Sequence, residues 1–267
     1  PKDTKRDMEW ESPWGRGFPG WHIECSAMSM RYLGETIDIH TGGIDHLPVH
    51  HPNEIAQSEA VTGKQFVRYW LHGNFITVDG TKLSKSLGNS YTLQDVKEHG
   101  FDPLDFRMFV LQTHYRSQAD FTWQGMGAAR TRRLRLQAVA DLRFQLSGEG
   151  HPLGLSGQLD KIVAALSDDL GTPKALATLS EIESQLEAGQ YPSKSNLLDF
   201  LRVIDELLGL NLLATHDITD QQKMLINERE EARQSGDYRR ADEIRDELQD
   251  DHLIIKDTPL GPIWARV

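Results

Sequence analysis

Cysteine is almost absent from this sequence of 267 residues, in which Cys25 is the only one. A single cysteine excludes an internal disulfide and is typical of a reducing compartment. Long hydrophobic runs are also missing, since no apolar stretch approaches the roughly 20 residues that a membrane-spanning helix needs. The opening residues are polar and contain no secretory signal. The sequence therefore predicts a cytoplasmic protein that has no membrane partner.

Positive charge is scarce as well, because 29 lysines and arginines face 40 acidic residues and leave a net charge of -11. The deficit is uneven. From Arg107 to Arg143, seven arginines face two aspartates, which gives a local balance of +5 and leaves -16 for the rest of the chain. A phosphate backbone responds to local potential, so this stretch is compatible with nucleic-acid contact. From charge alone, a solvated helix face is an equally good interpretation.

Two lysines, Lys82 and Lys85, lie in the polar segment 79–89, which reads DGTKLSKSLGN. A pair of cations on a loop of small residues is suited to hold nucleotide phosphates and to stabilise charge that develops in a transition state. Lysine–serine loops are also common on solvated surfaces. The segment alone is therefore a moderately specific indication of a nucleotide site.

Short apolar runs that end in polar turns predict an α/β region over residues 1–90, with strands at 36–39 and 75–78. A helix is expected at 53–60, with Ile55 and Ala56 directed inward and Glu54, Gln57 and Ser58 on its polar side.

Beyond residue 92 the pattern becomes helical, with a break at Gly100 and Pro103, and five apolar residues occupy helix-spaced core positions: Leu93, Val96, Phe106, Phe109 and Val110. Further helices are expected at 127–146, 157–167, 172–188 and 194–208. A charged helical hairpin over 219–250 and a β-hairpin over 253–264 follow. The sequence thus predicts α/β, then an α-helical bundle, then a small α+β cap.

A thiol, an imidazole and a carboxylate form a partial metal shell. His50 and Glu54 are four residues apart, so that on a helix both face the same side, and Cys25 precedes them by about 25 residues. These are ligand types that zinc accepts. Three ligands do not close a tetrahedral site, and spacing alone leaves a buried cysteine beside a surface His/Glu pair as an alternative.

Four motifs resemble the cysteinyl-tRNA synthetase family of class I aminoacyl-tRNA synthetases. They are GWHIECSAM at 20–28, DIHTGGID at 38–45, HHPNEIAQSE at 50–59 and the lysine loop, with Leu83 at the Met position of the family's Lys-Met-Ser-Lys-Ser sequence. They occur in the family's order and spacing. The resemblance implies a zinc ion that binds substrate cysteine as its thiolate. Its ligands would be Cys25, His50, Glu54 and, as the fourth, a second cysteine that this sequence does not contain.

The same resemblance implies the other site residues. Lys82 and Lys85 would be catalytic by stabilising the phosphate during cysteine activation, with Mg²⁺ accompanying ATP. Trp21 would lie against the substrate side chain. ATP and adenylate would be bound by the same two lysines together with His40, Gly42, Gly43 and Asp45.

The family's His-Ile-Gly-His signature is not found in the sequence. We therefore expect a fragment that lacks the N-terminal half of a Rossmann-like catalytic domain, excised or proteolytic rather than naturally truncated, and inactive alone in pyrophosphate exchange. Within the matched region Leu83, Thr41 and Pro52 depart from the family pattern, and Pro52 could shift the start of the helix that presents Glu54.

The resemblance implies a cysteine–tRNA ligase acting on ATP, L-cysteine and tRNA(Cys). The alternatives are a cysteine ligase with a small amino-sugar acceptor and a non-catalytic tRNA-binding module. The expected domains are the catalytic half at 1–90, a linking region near the tRNA acceptor arm at 91–146, a helical bundle at 147–215 and an anticodon-side domain at 216–267. In that last domain Arg239, Arg240 and Arg245 would either stack on bases or, as we favour for most of them, form ion pairs along the helix.

Overall fold

The computed structural model of the protein describes residues 8–82, 88–146, 153–258 and 261–266. The chain divides into two units. The first unit comprises Pro1–Ile76 and Tyr115–Ala119, and the second comprises Thr77–His114 and Asp120–Val267. Among the described helices, none is long and apolar enough to cross a membrane.

The first unit is built on a β–α–β crossover. Helix α1 (Trp21–Leu33) precedes strand β1 (Ile37–Gly43), helix α2 (His50–Thr62) and strand β2 (Val67–Gly73). The two strands pair in parallel, and His40 lies opposite Trp70 while Gly42 lies opposite His72. Parallel neighbours require a crossover connection, which α2 provides. The carboxyl ends of both strands therefore lie side by side and carry histidines.

Helix α2 differs from its prediction in length and in the face that it buries. It begins at His50 rather than at 53, and its buried residues are His50, His51, Glu54 and Ser58. Ala56 is exposed and Ile55 is only half-buried, so the expectation that these two face inward was wrong. The apolar cluster of this unit is small and consists of Ile37, Phe66 and Val67. The polar face of α2 points inward because it packs against other polar groups there.

Pro52 does not displace α2. It is the third residue of the helix. The backbone N–H groups of the first turn have no partner within a helix, so a residue without an N–H is tolerated at that position. Glu54 therefore keeps its place in the second turn.

Strands β3 (Ile76–Val78), β4 (Thr81–Lys82) and β5 (Ala119–Phe121) form a sheet in the order β4-β3-β5. The turn between β3 and β4 is Asp79-Gly80, and both residues have positive φ, 48° and 71°. Two successive positive φ values fit the type I′ hairpin turn that Asp-Gly favours. The carboxylate of Asp120 accepts hydrogen bonds from the Gly80 N–H and the Thr77 hydroxyl, both at 2.8 Å, which fixes the turn just before the lysine loop.

Three helices follow in the second unit: α3 (Leu93–Glu98), α4 (Pro103–Leu111) and α5 (Trp123–Asp141). Capping boxes start the first two, at Thr92 and Asp102. Of the five predicted core positions in this region, Val96 and Phe109 are buried and Phe106 is half-buried, whereas Leu93 and Val110 are exposed. The last two predictions were wrong because α3 and α4, separated at Gly100 and Pro103 as predicted, are short and bury narrow faces.

The predicted bundle helices are α6 (Ser156–Ser167), α7 (Thr172–Glu187) and α8 (Lys194–Leu208). The last of these has the predicted bounds and buries one apolar stripe, formed by Leu197, Phe200, Leu201, Ile204 and Leu208. The predicted loop before α6 falls mostly on residues 147–152, which lie outside the described residues.

The chain closes with the predicted helical hairpin and β-hairpin, formed by α9 (Asp220–Ser235), α10 (Tyr238–Asp250), β6 (Leu253–Thr258) and β7 (Gly261–Arg266). The two strands are antiparallel. The core that the helical hairpin and the β-hairpin share consists of Ile218, Ile226, Ile244, Leu248, Leu253 and Trp264.

A buried polar group joins the end of α5 to the last strand. The carboxylate of Asp141 is fully buried and pairs with Arg143 and Arg266. It also accepts hydrogen bonds from Gln137 and Thr215, at 3.0 and 2.9 Å. A buried carboxylate needs such partners, because an unpaired charge is costly to remove from water.

Candidate metal centre

The first unit gathers histidines from all of its elements. Cys25 and His22 lie on α1, His40 lies on β1, and His72 lies on β2. The start of α2 adds two histidines and a carboxylate, and the short 3-10 helix Ile44–His46 adds another histidine. Of the eleven histidines in the chain, six lie between residues 22 and 72.

The carboxylate of Glu54 is the common neighbour of three imidazoles. Its side chain is fully buried, and its Oε2 lies 3.0 Å from His40 Nε2, 3.6 Å from His50 Nε2 and 3.8 Å from His51 Nε2. The first of these distances is a hydrogen bond. The other Glu54 oxygen, Oε1, is buried and has no hydrogen-bond partner among the described residues.

Two sets of ligand atoms converge around this carboxylate. Cys25, His50 and Glu54 form one set, and His40, His51 and Glu54 form the other; within each set the ligand atoms lie within 4.8 Å of one another. The structure therefore brings together the three residues that the sequence nominated as metal ligands. Thiolate, imidazole and carboxylate are a donor set that fits zinc, and the unpartnered Glu54 oxygen fits a site that takes a further partner.

Both histidines of α2 are oriented by a second imidazole. His50 Nδ1 lies 2.7 Å from His22 Nδ1, and His51 Nδ1 lies 2.8 Å from His72 Nε2. The opposite nitrogen of each ring faces Glu54. A ligand histidine is typically fixed in this way through the nitrogen that does not bind the metal.

Burial favours the neutral form of three imidazoles in this cluster. It is the main cause that lowers the pKa of His50, of His72 and of His51, and for His51, with neighbouring histidines adding to it, the pKa falls to about 4. Burial, followed by the Glu54 charge, raises the pKa of the Cys25 thiol. Neutral imidazoles are the form that binds a metal. Deprotonation of the buried thiol costs free energy, which a bound cation offsets.

Aromatic rings enclose the cluster. The Trp70 ring lies 4.6 Å from His51 and 4.9 Å from His40. On another side the Trp21 ring lies 4.4 Å from His50 and 5.4 Å from His46, although its side chain remains exposed. Trp21, nominated as a substrate contact, is thus next to the candidate ligands.

The other nominated residues lie at the end of β1 and beyond. A Cβ built on Gly42 would come within 2.6 Å of His46 Nδ1, and one built on Gly43 within 2.3 Å of the Asp45 carboxylate. Asp45 itself is exposed, whereas His40 turns its Nε2 to Glu54.

Of the two predicted lysines, Lys82 belongs to the second unit. Lys82 ends β4, and Lys85 lies outside the described residues.

Four histidines of this cluster were not predicted as site residues: His22, His46, His51 and His72. The high density of histidine between residues 22 and 72 could have indicated them, because histidine is rare on average and clusters here. On α2, motif spacing predicted only His50 and Glu54.

Several arginines of the basic stretch are used within the second unit. Arg133 pairs with Asp105 at 2.6 Å, Arg132 donates to the carbonyl of Leu176 at 2.9 Å, and Arg143 is buried beside Asp141. Ion pairs also engage the three arginines of α10, with partners Glu228, Asp242, Glu243 and Asp246. Local charge therefore overstates the free cationic surface of the basic stretch, and the ion pairs confirm the favoured interpretation of the arginines on α10.

Two family models match the chain. One is described as the tRNA synthetases class I (C) catalytic domain and matches residues 2–131. The other is the cysteinyl-tRNA ligase anticodon binding domain and matches residues 215–264.

Among curated proteins, cysteine–tRNA ligase of Treponema denticola is 41% identical across 100% of this chain and 60% of its own length. The enzyme of Chlorobaculum tepidum is 44% identical across 97% of this chain and 57% of its own length. Cysteine–tRNA ligase 1 of Burkholderia lata is 42% identical across 98% of this chain and 54% of its own length. The chain thus spans 54–60% of the length of these relatives.

Among solved structures, LeuRS of Agrobacterium radiobacter in a ternary complex with tRNA and LeuAMS matches with a TM-score of 0.57, over 76% of this chain and 32% of that chain. At 19% identity this likeness shows the fold alone. The fold is that of a class I synthetase catalytic domain with a high content of helix.

Proposed function

Because the chain belongs to the cysteinyl-tRNA synthetase family, we propose that it supplies the cysteine-binding and tRNA-binding parts of a cysteine–tRNA ligase. The full reaction would join ATP and cysteine into cysteinyl adenylate with release of pyrophosphate. The cysteinyl group would then pass to the 3′ end of tRNA(Cys).

The convergence of Cys25, His50 and Glu54 carries this proposal. Zinc bound by these three residues would supply a soft Lewis acid that holds the substrate cysteine as its thiolate and discriminates against serine. His22 would keep the His50 ring in place for this task, and Trp21 would cover the substrate side chain.

The remaining roles belong to residues around the end of β1 and in the lysine loop. Gly42 and Gly43 would let the backbone approach the adenylate closely, and Asp45, being exposed, would contact its polar groups. His40 would offer Nδ1 to the adenylate while Nε2 faces Glu54. Lys82 and Lys85 would stabilise the charge on the reacting phosphate, with Mg²⁺ bound to ATP, so that catalysis rests on positioning and electrostatics.

We also propose that the domains of the chain meet at residues 90, 146 and 215. Residues 147–215 would form the bundle and 216–267 the small α+β cap that approaches the anticodon. In support, the hairpins α9–α10 and β6–β7 share one core, and the anticodon-binding family model covers the same region.

Cysteine binding tests the proposal without requiring the whole reaction. We expect the zinc-loaded chain to bind cysteine at least about 100-fold more tightly than serine in calorimetry, since a hydroxyl does not replace a thiolate on zinc. Cys25→Ser should abolish this preference. His99→Gln, which changes an exposed histidine of the second unit, is the control and should retain it. Equal binding of cysteine and serine by the zinc-loaded chain would disprove the proposal.

A second candidate is a tRNA-binding module without catalysis. The match of residues 215–264 to an anticodon-binding model favours it, and also favours tRNA over an amino-sugar acceptor. Electrophoretic mobility shift with tRNA(Cys) at increasing salt would reveal phosphate contacts as a linear fall of log affinity with log salt concentration. Binding of tRNA without selective binding of cysteine would favour the module over the ligase.

A further inference from the structure

We propose that a cavity between α5, α7 and the β6–β7 hairpin binds a small, uncharged, planar aromatic molecule that donates an N–H group to Glu183. All the residues that line this cavity belong to the second unit. It shares no residue with the candidate metal centre. The inference therefore goes beyond the proposed cysteine binding and does not depend on it.

The size and the lining of the cavity fit an aromatic ligand. Its volume is about 300 Å³, at the lower end of the range for small-molecule sites. Two aromatic residues, Tyr191 and Trp264, line it, and each is only 5% exposed. The rest of its lining is mainly apolar and includes Val139 and Leu142 of α5, Leu186 of α7 and Ile263 of β7. Such a surface accepts a flat apolar body and gives it little polar competition.

One polar group in this lining lacks a partner. Glu183 Oε1 is buried and has no hydrogen-bond partner among the described residues. The nearby Arg132 donates instead to the Leu176 carbonyl and the Ser180 hydroxyl, at 2.9 and 3.1 Å. Buried polar atoms in proteins are almost always satisfied. A carboxylate oxygen accepts hydrogen bonds, so the ligand that completes this site carries a donor.

The charges around the cavity favour an uncharged donor. Burial raises the pKa of Glu183, while the charges of Arg132 and Arg135 act against this rise. A cationic ligand would meet these two arginines, and an anionic ligand would meet the Glu183 carboxylate. In the exposed part of the lining Lys256 pairs with Glu187 at 3.8 Å, so this part offers no excess of positive charge for a phosphate. The cavity therefore fits a free neutral molecule better than a nucleotide of an RNA chain.

Indole and benzofuran are the probes that test this site. The two molecules have nearly the same shape, but indole has an N–H donor where benzofuran has an oxygen. We expect the wild-type chain to bind indole with a dissociation constant of about 1 mM or lower, measured by NMR titration. Benzofuran should bind about 10-fold more weakly, because it cannot donate to the buried carboxylate.

Variants at position 183 show whether the preference depends on its oxygen. Glu183→Leu removes the acceptor, so it should abolish the preference for indole and leave benzofuran binding at least as strong. Glu183→Gln retains an oxygen but not the charge, and should reduce the preference to about 3-fold. Glu181→Leu is the matched control, since Glu181 is exposed on the same helix, and it should keep the wild-type preference. Circular dichroism of each variant establishes that it folds.

The proposal is overturned if the wild-type chain binds neither probe at millimolar concentration, or if it binds both equally. A preference for indole that persists in Glu183→Leu would place the ligand elsewhere and would also overturn it. Loss of the preference in Glu183→Leu, with retention in Glu181→Leu, supports the site. None of these outcomes bears on cysteine binding at the candidate metal centre, whose residues are not altered.

Discussion

Gly42 sets how closely the imidazoles of the first unit can pack. A Cβ at this position would lie 2.6 Å from both His46 Nδ1 and His51 Cε1. We expect Gly42→Ala to lower the free energy of unfolding by about 1–3 kcal/mol, because overpacking displaces two enclosed rings. Urea unfolding followed by tryptophan fluorescence measures the change, and a cobalt titration of the same variant should show weaker binding.

Gly127→Ala is the matched control for this variant. Gly127 lies within α5, and nothing approaches its built Cβ within 4 Å. Alanine should stabilise the helix there by about 0.5–1 kcal/mol. The opposite signs separate a steric cost from a general effect of glycine replacement, and a Gly42→Ala variant as stable as wild type would contradict the packing described.

At this scale the sequence predicted the candidate ligands on α1 and α2, but it did not predict which histidines surround them. Cys25, His50 and Glu54 follow from motif and spacing. His72 does not, because it reaches His51 only through the parallel register of β1 and β2, which pairs residues about 30 positions apart. His40 was nominated for adenylate, and its contact with Glu54 likewise depends on how β1 packs beside α2.

Among the elements, α7 carries an acidic side chain, that of Glu183, in an unfavourable environment. Glu183 lines a cavity of about 300 Å³ between α5, α7 and the β6–β7 hairpin. Its Oε1 is buried without a partner among the described residues, and burial raises its pKa above the ordinary 4.5, although Arg132 and Arg135 oppose the shift.

We expect Glu183→Gln to be more stable than wild type at pH 7, by about 1 kcal/mol, and no more stable near pH 4. The folded state holds the Glu183 proton more tightly than the unfolded state does. Its contribution to stability is therefore greatest below the unfolded pKa and declines as pH rises through the folded pKa. Thermal unfolding at the two pH values measures the difference.

Glu181→Gln, on the same helix, serves as the control. Glu181 is exposed and pairs with Lys161 at 3.2 Å, so its removal should alter stability by less than about 0.5 kcal/mol at pH 7. If both variants responded alike to pH, burial of Glu183 would not be the cause.

The existence and order of the helices were more predictable than their bounds, since the helix expected at 127–146 is α5 at Trp123–Asp141. Helix α8 has a strong apolar stripe and a glycine at its end, and its predicted bounds hold. The inward face of α2 was not predictable from periodicity, because hydrophobic spacing assumes that the buried face is apolar. There the interior is made of histidines, and polar side chains point toward it.

For the whole molecule, the buried Asp141 group is the main polar link between the end of α5 and the C-terminal strand. Asp141→Ala should cost about 3–5 kcal/mol, because it leaves Arg143 and Arg266 without their buried counter-charge. Urea unfolding measures the loss, and hydrogen exchange should show reduced protection of the amides in β6 and β7.

Asp199→Ala is the comparison, since Asp199 pairs with Arg202 at 2.8 Å while both side chains are mostly exposed. It should cost at most about 0.5 kcal/mol. A similar loss in the two variants would mean that the Asp141 group is no more than a surface ion pair.

The order of α/β, bundle and cap was predictable from composition and pattern along the chain. The Asp141 group was not, since it joins residues 125 positions apart, and long-range pairing leaves no local trace in a single sequence. For the same reason charge counts left two interpretations of the arginines in 107–143 open, and several of these arginines have internal partners.

The inward polar face of α2 has a consequence for the protein in the cell. Because the apolar cluster among the described residues of the first unit is small, the free energy of ion binding becomes part of the free energy of folding. Under the proposed zinc binding, nutrient limitation would enlarge the unfolded population that proteases remove. The lifetime of this polypeptide would then track zinc nutrition, and its abundance would fall during starvation for the metal without any change in gene expression.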